Sequence, residues 1–137
     1  MIELSQFYMG RDKTHAHILG SDIRANASRT VEAANKLLTL AKGAGVQLKP
    51  GQWGMVRSGW RPPDINGATK GASKTSLHMQ CLAVDLEDVD GSLARWCFAN
   101  QNVLKDLALW LEHPDATPSW CHVQLKPPGS GNRVFRP

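Results

Sequence analysis

The chain from Ser58 to Asp85 reads SGWRPPDINGATKGASKTSLHMQCLAVD and contains the most informative pattern in the sequence. His78 is followed by Asp85 at the end of this stretch, and a further histidine, His122, stands downstream in the segment SWCHVQ. Two imidazoles and one carboxylate suit a divalent cation such as zinc. Three protein ligands leave one tetrahedral position open, which distinguishes a catalytic zinc site from a structural one. The sequence therefore predicts a Zn²⁺ site formed by His78, Asp85 and His122.

The apolar pattern around this segment predicts a small α+β domain that spans residues 1–137. Helical spacing predicts a long helix over 22–43, and a second amphipathic helix is expected after Asn100, with the apolar set Val103, Leu104, Leu107, Trp110 and Leu111. Strands are predicted over 52–58, 82–86 and 120–125, and a short helix over 93–98. The segment 61–75 is rich in Pro and Gly and is predicted to be a long ordered loop, with Asn66 as a turn residue. This order favours a small, mainly antiparallel sheet with helices packed on one face and the zinc site on the open face.

Strand periodicity predicts how the three ligands come together. Side chains alternate between the faces of a strand, so Asp85 shares a face with Ala83, and His122 shares a face with Trp120 and Gln124. If the two strands lie side by side, Asp85 and His122 come together, and His78 joins them from the approach to the first strand. The same alternation turns Cys121 away from the metal.

Bulk composition narrows the function classes. The chain carries a net charge of +4 at pH 7, which is compatible either with an anionic partner such as cell-wall polymer, outer-membrane lipid or nucleic acid, or with a surplus that has no specific role. The basic residues are scattered and give little support to nucleic-acid binding. No apolar stretch is long enough for a membrane span, and MIELSQFYMGRDK lacks the features of a signal peptide, so synthesis and folding in the cytoplasm are expected. Three cysteines without a C-x-x-C pair indicate buried free thiols. Disorder is expected, if anywhere, in the final segment PPGSGNRVFRP, and a monomer is expected.

The segment resembles the zinc D-alanyl-D-alanine carboxypeptidase superfamily, which includes vancomycin-resistance dipeptidases, phage endolysins and the zinc-binding fold of hedgehog domains. The superfamily pattern Ser-x-His-x-x-Gly-x-Ala-x-Asp falls on Ser76, His78, Cys81, Ala83 and Asp85. Cys81 is a departure, because glycine is usual there. An upstream Ser-Gly-aromatic-Arg pattern matches residues 58–61, and His122 matches the third ligand.

The resemblance implies hydrolysis of an amide bond in the stem peptide of peptidoglycan, next to a D-amino acid, by a phage or prophage lytic enzyme that reaches the wall after release. Arg61 is then expected to bind a substrate carboxylate or the oxyanion. Ser76 is expected to hydrogen-bond to substrate or to a ligand, and Trp120 and Gln124 are expected in the substrate site. A zinc-fold module that binds cell-wall peptide without turnover is the alternative.

The general base is less well determined by the sequence. Many relatives carry Glu or Asp three residues before the last histidine, where this chain has Ser119, which cannot serve. Glu112 and Asp115 are the nearby acids. Glu112 is preferred as the general base because it is expected to close a helix that faces the sheet. Asp115 is the alternative. His15, His17 and His113 are expected to be ordinary polar residues.

Overall fold

A computed structural model describes residues 1–137 as an α+β fold around one five-stranded sheet. The helices are α1 (Leu4–Tyr8), α2 (Arg11–Thr14), α3 (Ser21–Gly43), α4 (Pro63–Ala68), α5 (Ser92–Ala99) and α6 (Gln101–Asp106). The strands are β1 (Val56–Ser58), β2 (Ala83–Glu87), β3 (Trp110–Glu112), β4 (Trp120–Gln124) and β5 (Val134–Phe135). Short 3-10 turns occupy Ala16–Ile18, Leu77–Gln80 and Pro114–Ala116.

The strands lie in the order β1-β2-β4-β3-β5, and every neighbouring pair is antiparallel except the parallel pair of β3 and β5. One face of the sheet, which includes Val84, Leu86 and Val123, is buried in the core together with the apolar side of α3. The opposite face presents Asp85 and His122. The predicted fold class, with helices on one face and the candidate site on the other, is confirmed.

The long helix α3 follows the predicted range closely because its apolar residues recur at helical spacing and face the sheet. Its buried residues are Ala27, Thr30, Val31, Ala33, Ala34, Leu37, Leu38 and Ala41. Burial of this stripe contributes more to helix stability than intrinsic propensity does, since isolated helices are marginal in water. No helix in the structure is both long enough and apolar enough to cross a membrane.

Several predicted elements are corrected. The strand predicted over 52–58 is confined to Val56–Ser58, because Gly51 and Gly54 pair with each other in a tight turn just before it. The predicted loop over 61–75 contains α4, which begins with Pro63 at the first helical position, where proline's missing N–H costs nothing. Asn66 is therefore not a turn residue but a buried helical one, and its side-chain amide donates to the carbonyl of Ser73 (2.9 Å).

The largest correction concerns residues 107–112. The helix after Asn100 was predicted to include Trp110 and Leu111, yet α6 ends at Asp106 and Trp110–Glu112 forms β3. Ala108 adopts a left-handed backbone conformation (φ 55°), and the N–H of Leu109 donates back to the carbonyl of Leu104, so the chain leaves the helix there. The final segment, which the sequence marked as the one place for any disorder, supplies β5, which pairs with β3.

Candidate metal centre

Strand register aligns the candidate residues in one row across the sheet. Ser58 of β1 pairs with Asp85 of β2, and Asp85 pairs with His122 of β4. The pairing of Leu111 with Val123 makes Glu112 of β3 the next residue in register, opposite His122. Asp85, His122 and Glu112 thus occupy neighbouring positions on three adjacent strands, all on the face away from the helices.

His78 completes a compact group with two of these residues. It lies in the turn Leu77–Gln80 that leads into β2. Its Nε2 is 3.4 Å from Asp85 Oδ2, and His122 Nδ1 is 2.7 Å from Asp85 Oδ1. One donor atom from each of the three residues lies within 4.8 Å of the others, which suits a shared divalent cation.

The histidine nitrogens that face away from Asp85 also have hydrogen-bonding partners. His78 Nδ1 lies 2.9 Å from the carbonyl oxygen of Gly59, and His122 Nε2 lies 2.8 Å from Gln124 Oε1. Outer partners of this kind orient imidazole ligands in metalloproteins. The two imidazoles, the carboxylate and their outer contacts therefore fit zinc.

A glycine and a serine hold His78 in place. A Cβ on Gly59 would lie 2.0 Å from the carbonyl oxygen of Phe7, so only glycine allows the backbone to approach there. The carbonyl oxygen of the same Gly59 contacts His78 Nδ1. Ser76 Oγ accepts the backbone N–H of His78 (3.2 Å). The Ser-Gly-Trp-Arg and Ser-x-His patterns thus meet at one ligand.

Electrostatics couples Asp85 to both histidines. Burial alone would raise the pKa of Asp85, but the adjacent His78 and His122 bring that pKa well below its usual range. Burial would lower the pKa of His122, and the hydrogen bond and charge of Asp85 outweigh it, so the pKa of His122 is raised. Asp85 is thereby kept ionised, which is the form that binds a metal.

Of the two candidate bases, Glu112 lines the cleft and Asp115 does not. Burial is the main cause of the raised pKa of Glu112; His122 opposes the rise and Asp85 adds to it. The side chain of Asp115 is 72% exposed and lies 3.3 Å from Arg136. The structural reason given for Glu112 was wrong, because Glu112 lies in β3 and does not close a helix. Its role as base stays a prediction.

Arg61 and Ser76 form the edge of the same cleft. Arg61 Nη2 donates to Ser76 Oγ (3.3 Å), while its Nε is buried and has no hydrogen-bond partner. Burial lowers the pKa of Arg61, and the nearby Asp85 opposes that shift. The guanidinium therefore has donors left over for an anionic group.

Cys81 explains why glycine is usual at its position. It adopts a left-handed backbone conformation (φ 58°), and its carbonyl accepts the hydroxyl of the buried Thr30 at 2.6 Å. Glycine reaches this conformation without steric cost, whereas other residues are strained. Burial raises the pKa of the Cys81 thiol to about 12, so this thiol is unreactive at neutral pH.

The remaining histidines and cysteines lie outside the site. All three cysteines are free and buried, and Cys121 packs in the core, on the face away from His122. His15 pairs with Asp64 (3.0 Å), and His113 Nδ1 accepts the backbone N–H of Asp115.

The site forms the floor of a cleft of about 880 Å³. The cationic residues that line it are Arg57, Arg61, Lys70, Lys126 and Arg136, against the acids Asp85 and Glu112. Trp120 and Gln124 also line it, and the guanidinium of Arg57 lies 5.5 Å from the Trp120 ring centroid. The cleft is therefore suited to an anionic ligand.

Comparison with known proteins places this geometry in a family. The model for peptidase M15 matches residues 13–114, about three quarters of the chain. The chain belongs to the peptidase M15 family. It is thus a metallopeptidase of a zinc-dependent family that acts on peptidoglycan. The match includes His78 and Asp85 but ends before His122, which pairs with Asp85 in the sheet and lies near His78. Searches among curated proteins and solved structures gave no match.

Proposed function

We propose that this protein is a zinc peptidase that hydrolyses an amide bond next to a D-amino acid in the stem peptide of peptidoglycan. It acts as a carboxypeptidase or an endopeptidase, of the kind used by phages or prophages for lysis. The observation that carries the proposal is the row of Asp85, His122 and Glu112, with His78 beside it, on the floor of a cationic cleft.

His78, Asp85 and His122 hold the metal in this proposal. When bound, zinc would supply Lewis-acid chemistry, polarising the scissile carbonyl and lowering the pKa of water. Glu112 accepts the proton of the attacking water and delivers it to the leaving amine. Its position opposite His122 and its raised pKa support this role, because a base works best with a pKa close to the working pH.

Substrate binding depends on the cationic lining of the cleft. Arg61 binds a substrate carboxylate or the oxyanion through charge-assisted hydrogen bonds from its guanidinium, which uses only Nη2 for a contact within the protein. The surplus of cations over acids in the cleft supports an anionic peptide as substrate. Ser76 holds Arg61 in place from the side, and Trp120 forms part of the cleft wall.

We further propose that the protein works as a monomer on the cell wall and leaves the cytoplasm through a pore made by another protein. The alternative, a binding module without turnover, is supported by Ser119 at the position where relatives carry an acid.

Incubation of purified sacculi with the protein, followed by mass analysis of the soluble products, tests the proposal. The proposed enzyme produces new amine and carboxyl termini in stem peptides, loses this activity with a chelator and regains it with zinc. Retention of the protein on sacculi with no new termini would instead support the binding module. Glu112→Gln is the matched control, because it preserves the shape of the cleft.

A further inference from the structure

Gln124 lies beside the proposed zinc site and has both ends of its amide engaged. It is the last residue of β4, two residues after His122 on the same face, and only 7% of it is exposed. Its Oε1 lies 2.8 Å from His122 Nε2, and its Nε2 donates to the carbonyl oxygen of Lys126 at 2.7 Å. Both polar ends of the Gln124 amide are therefore used within the protein.

The Lys126 carbonyl fixes the orientation of this amide. A carbonyl oxygen only accepts hydrogen bonds, so the NH₂ group of Gln124 has to face it, and Oε1 then faces His122. Because Oε1 also only accepts, His122 Nε2 carries a hydrogen. The atom of His122 left to bind a metal is Nδ1, which is the nitrogen that faces Asp85 at 2.7 Å.

The structure fixes His78 in the opposite tautomer to that of His122. Its Nδ1 faces the Gly59 carbonyl and donates to it, which leaves Nε2 directed at Asp85. The two histidines thus offer different nitrogens, and each choice is set by a carbonyl outside the ligand set. A backbone carbonyl sets the tautomer of His78 directly. The tautomer of His122 is set through the side chain of Gln124.

We propose that Gln124 is a positioning residue that holds His122 in the tautomer and ring orientation with Nδ1 toward the metal. The inference rests on the proposed zinc site. It replaces the expectation that Gln124 binds substrate, because both polar ends of the amide are used within the protein.

The test measures zinc affinity of the whole protein by competition with a chromophoric chelator. Gln124→Leu removes the acceptor and should weaken zinc binding about 10- to 100-fold, the usual effect of losing an outer partner of a ligand. Gln124→Glu keeps an acceptor for His122 Nε2–H and should recover most of the affinity. Lys126→Ala keeps the backbone carbonyl and should leave zinc affinity unchanged.

Nitrogen NMR of the zinc-loaded wild-type protein, labelled at histidine, provides a readout that needs no variant. The inference predicts that His122 retains the hydrogen on Nε2 with Nδ1 bound to zinc. The opposite tautomer would overturn it, even if Gln124→Leu failed to fold. A Gln124→Leu protein with wild-type zinc affinity and a raised KM would also overturn it and restore a substrate contact.

These outcomes are separable from those of the proposed function. Zinc binding with no hydrolysis of sacculi would reject the proposed function and leave the role of Gln124 intact. Hydrolysis together with unchanged zinc affinity in Gln124→Leu would reject the role of Gln124 alone. A wild-type protein without zinc affinity would reject both.

Discussion

The substitution Glu112→Gln tests the proposed proton transfer most sharply. The amide has almost the same size as the carboxyl group, so the half-buried position in β3 stays filled and the pairing with β4 is unchanged. Glutamine cannot accept a proton from water. General acid–base catalysis contributes about 10²- to 10⁴-fold, so kcat should fall by that factor. At about 1.4 kcal/mol per decade, this is roughly 3–5 kcal/mol of transition-state stabilisation.

The assay is the initial rate of new amine termini released from sacculi, with zinc content measured on the same sample. Zinc content should remain at the wild-type level, because Glu112 is not one of the three ligands. Asp115→Asn is the matched control and should retain most activity, since Asp115 is exposed and pairs with Arg136. Activity of Glu112→Gln above about a tenth of wild type would refute the assignment, because general-base loss costs more. A large loss in Asp115→Asn would transfer the role to that residue.

Three further predictions follow from the site and its surroundings. Arg61→Lys should lower kcat/KM about 10- to 100-fold in steady-state kinetics, because hydrogen bonds to charged groups contribute about 1.5–3 kcal/mol and lysine lacks the planar fork; an unchanged value would exclude carboxylate binding by Arg61. Cys81→Gly should change the free energy of unfolding in urea by less than about 1 kcal/mol, because relief of the left-handed backbone strain offsets the lost burial of the side chain. Cys81→Val should be clearly destabilising, because a β-branched residue is more strained in this conformation. A large loss of stability in Cys81→Gly would contradict this prediction. In metal-free protein, the raised pKa of His122 gives stability that is present below about pH 6.5 and lost as pH rises through the folded-state pKa. The lowered pKa of Asp85 gives stability present above about pH 4 and lost as pH falls toward its folded-state value. Melting temperature should therefore be highest between these limits, and His122→Ala should flatten the alkaline decline; an identical decline in that variant would contradict the assignment.

The ligand geometry could be anticipated because it depends on local rules. The period-two alternation put Asp85 and His122 on definite faces, and an antiparallel neighbour relation was enough to bring them together. The apolar stripe of α3 was equally clear, since its buried residues repeat from Ala27 to Ala41, over about four turns of helix.

The elements that sequence reasoning missed depend on tertiary contacts or on unusual backbone. Leu107, Trp110 and Leu111 continue the helical spacing of α6, but the chain leaves the helix at the left-handed Ala108, and Trp110 and Leu111 lie in β3. β5 has two residues and no pattern of its own, because it exists only by pairing with β3. Gln124 lines the cleft, yet its engagement with His122 and the Lys126 carbonyl follows from side-chain positions that no sequence pattern reports.

The most direct test of the account is the hydrolysis of sacculi while zinc is titrated into chelator-stripped protein. A zinc peptidase with this site should produce no new termini without zinc, a rate that rises linearly with added zinc, and a plateau at one equivalent, with His122→Ala inactive throughout. A rate independent of zinc, or no products at any zinc concentration, would contradict the claim that His78, Asp85 and His122 form the metal centre of a peptidase.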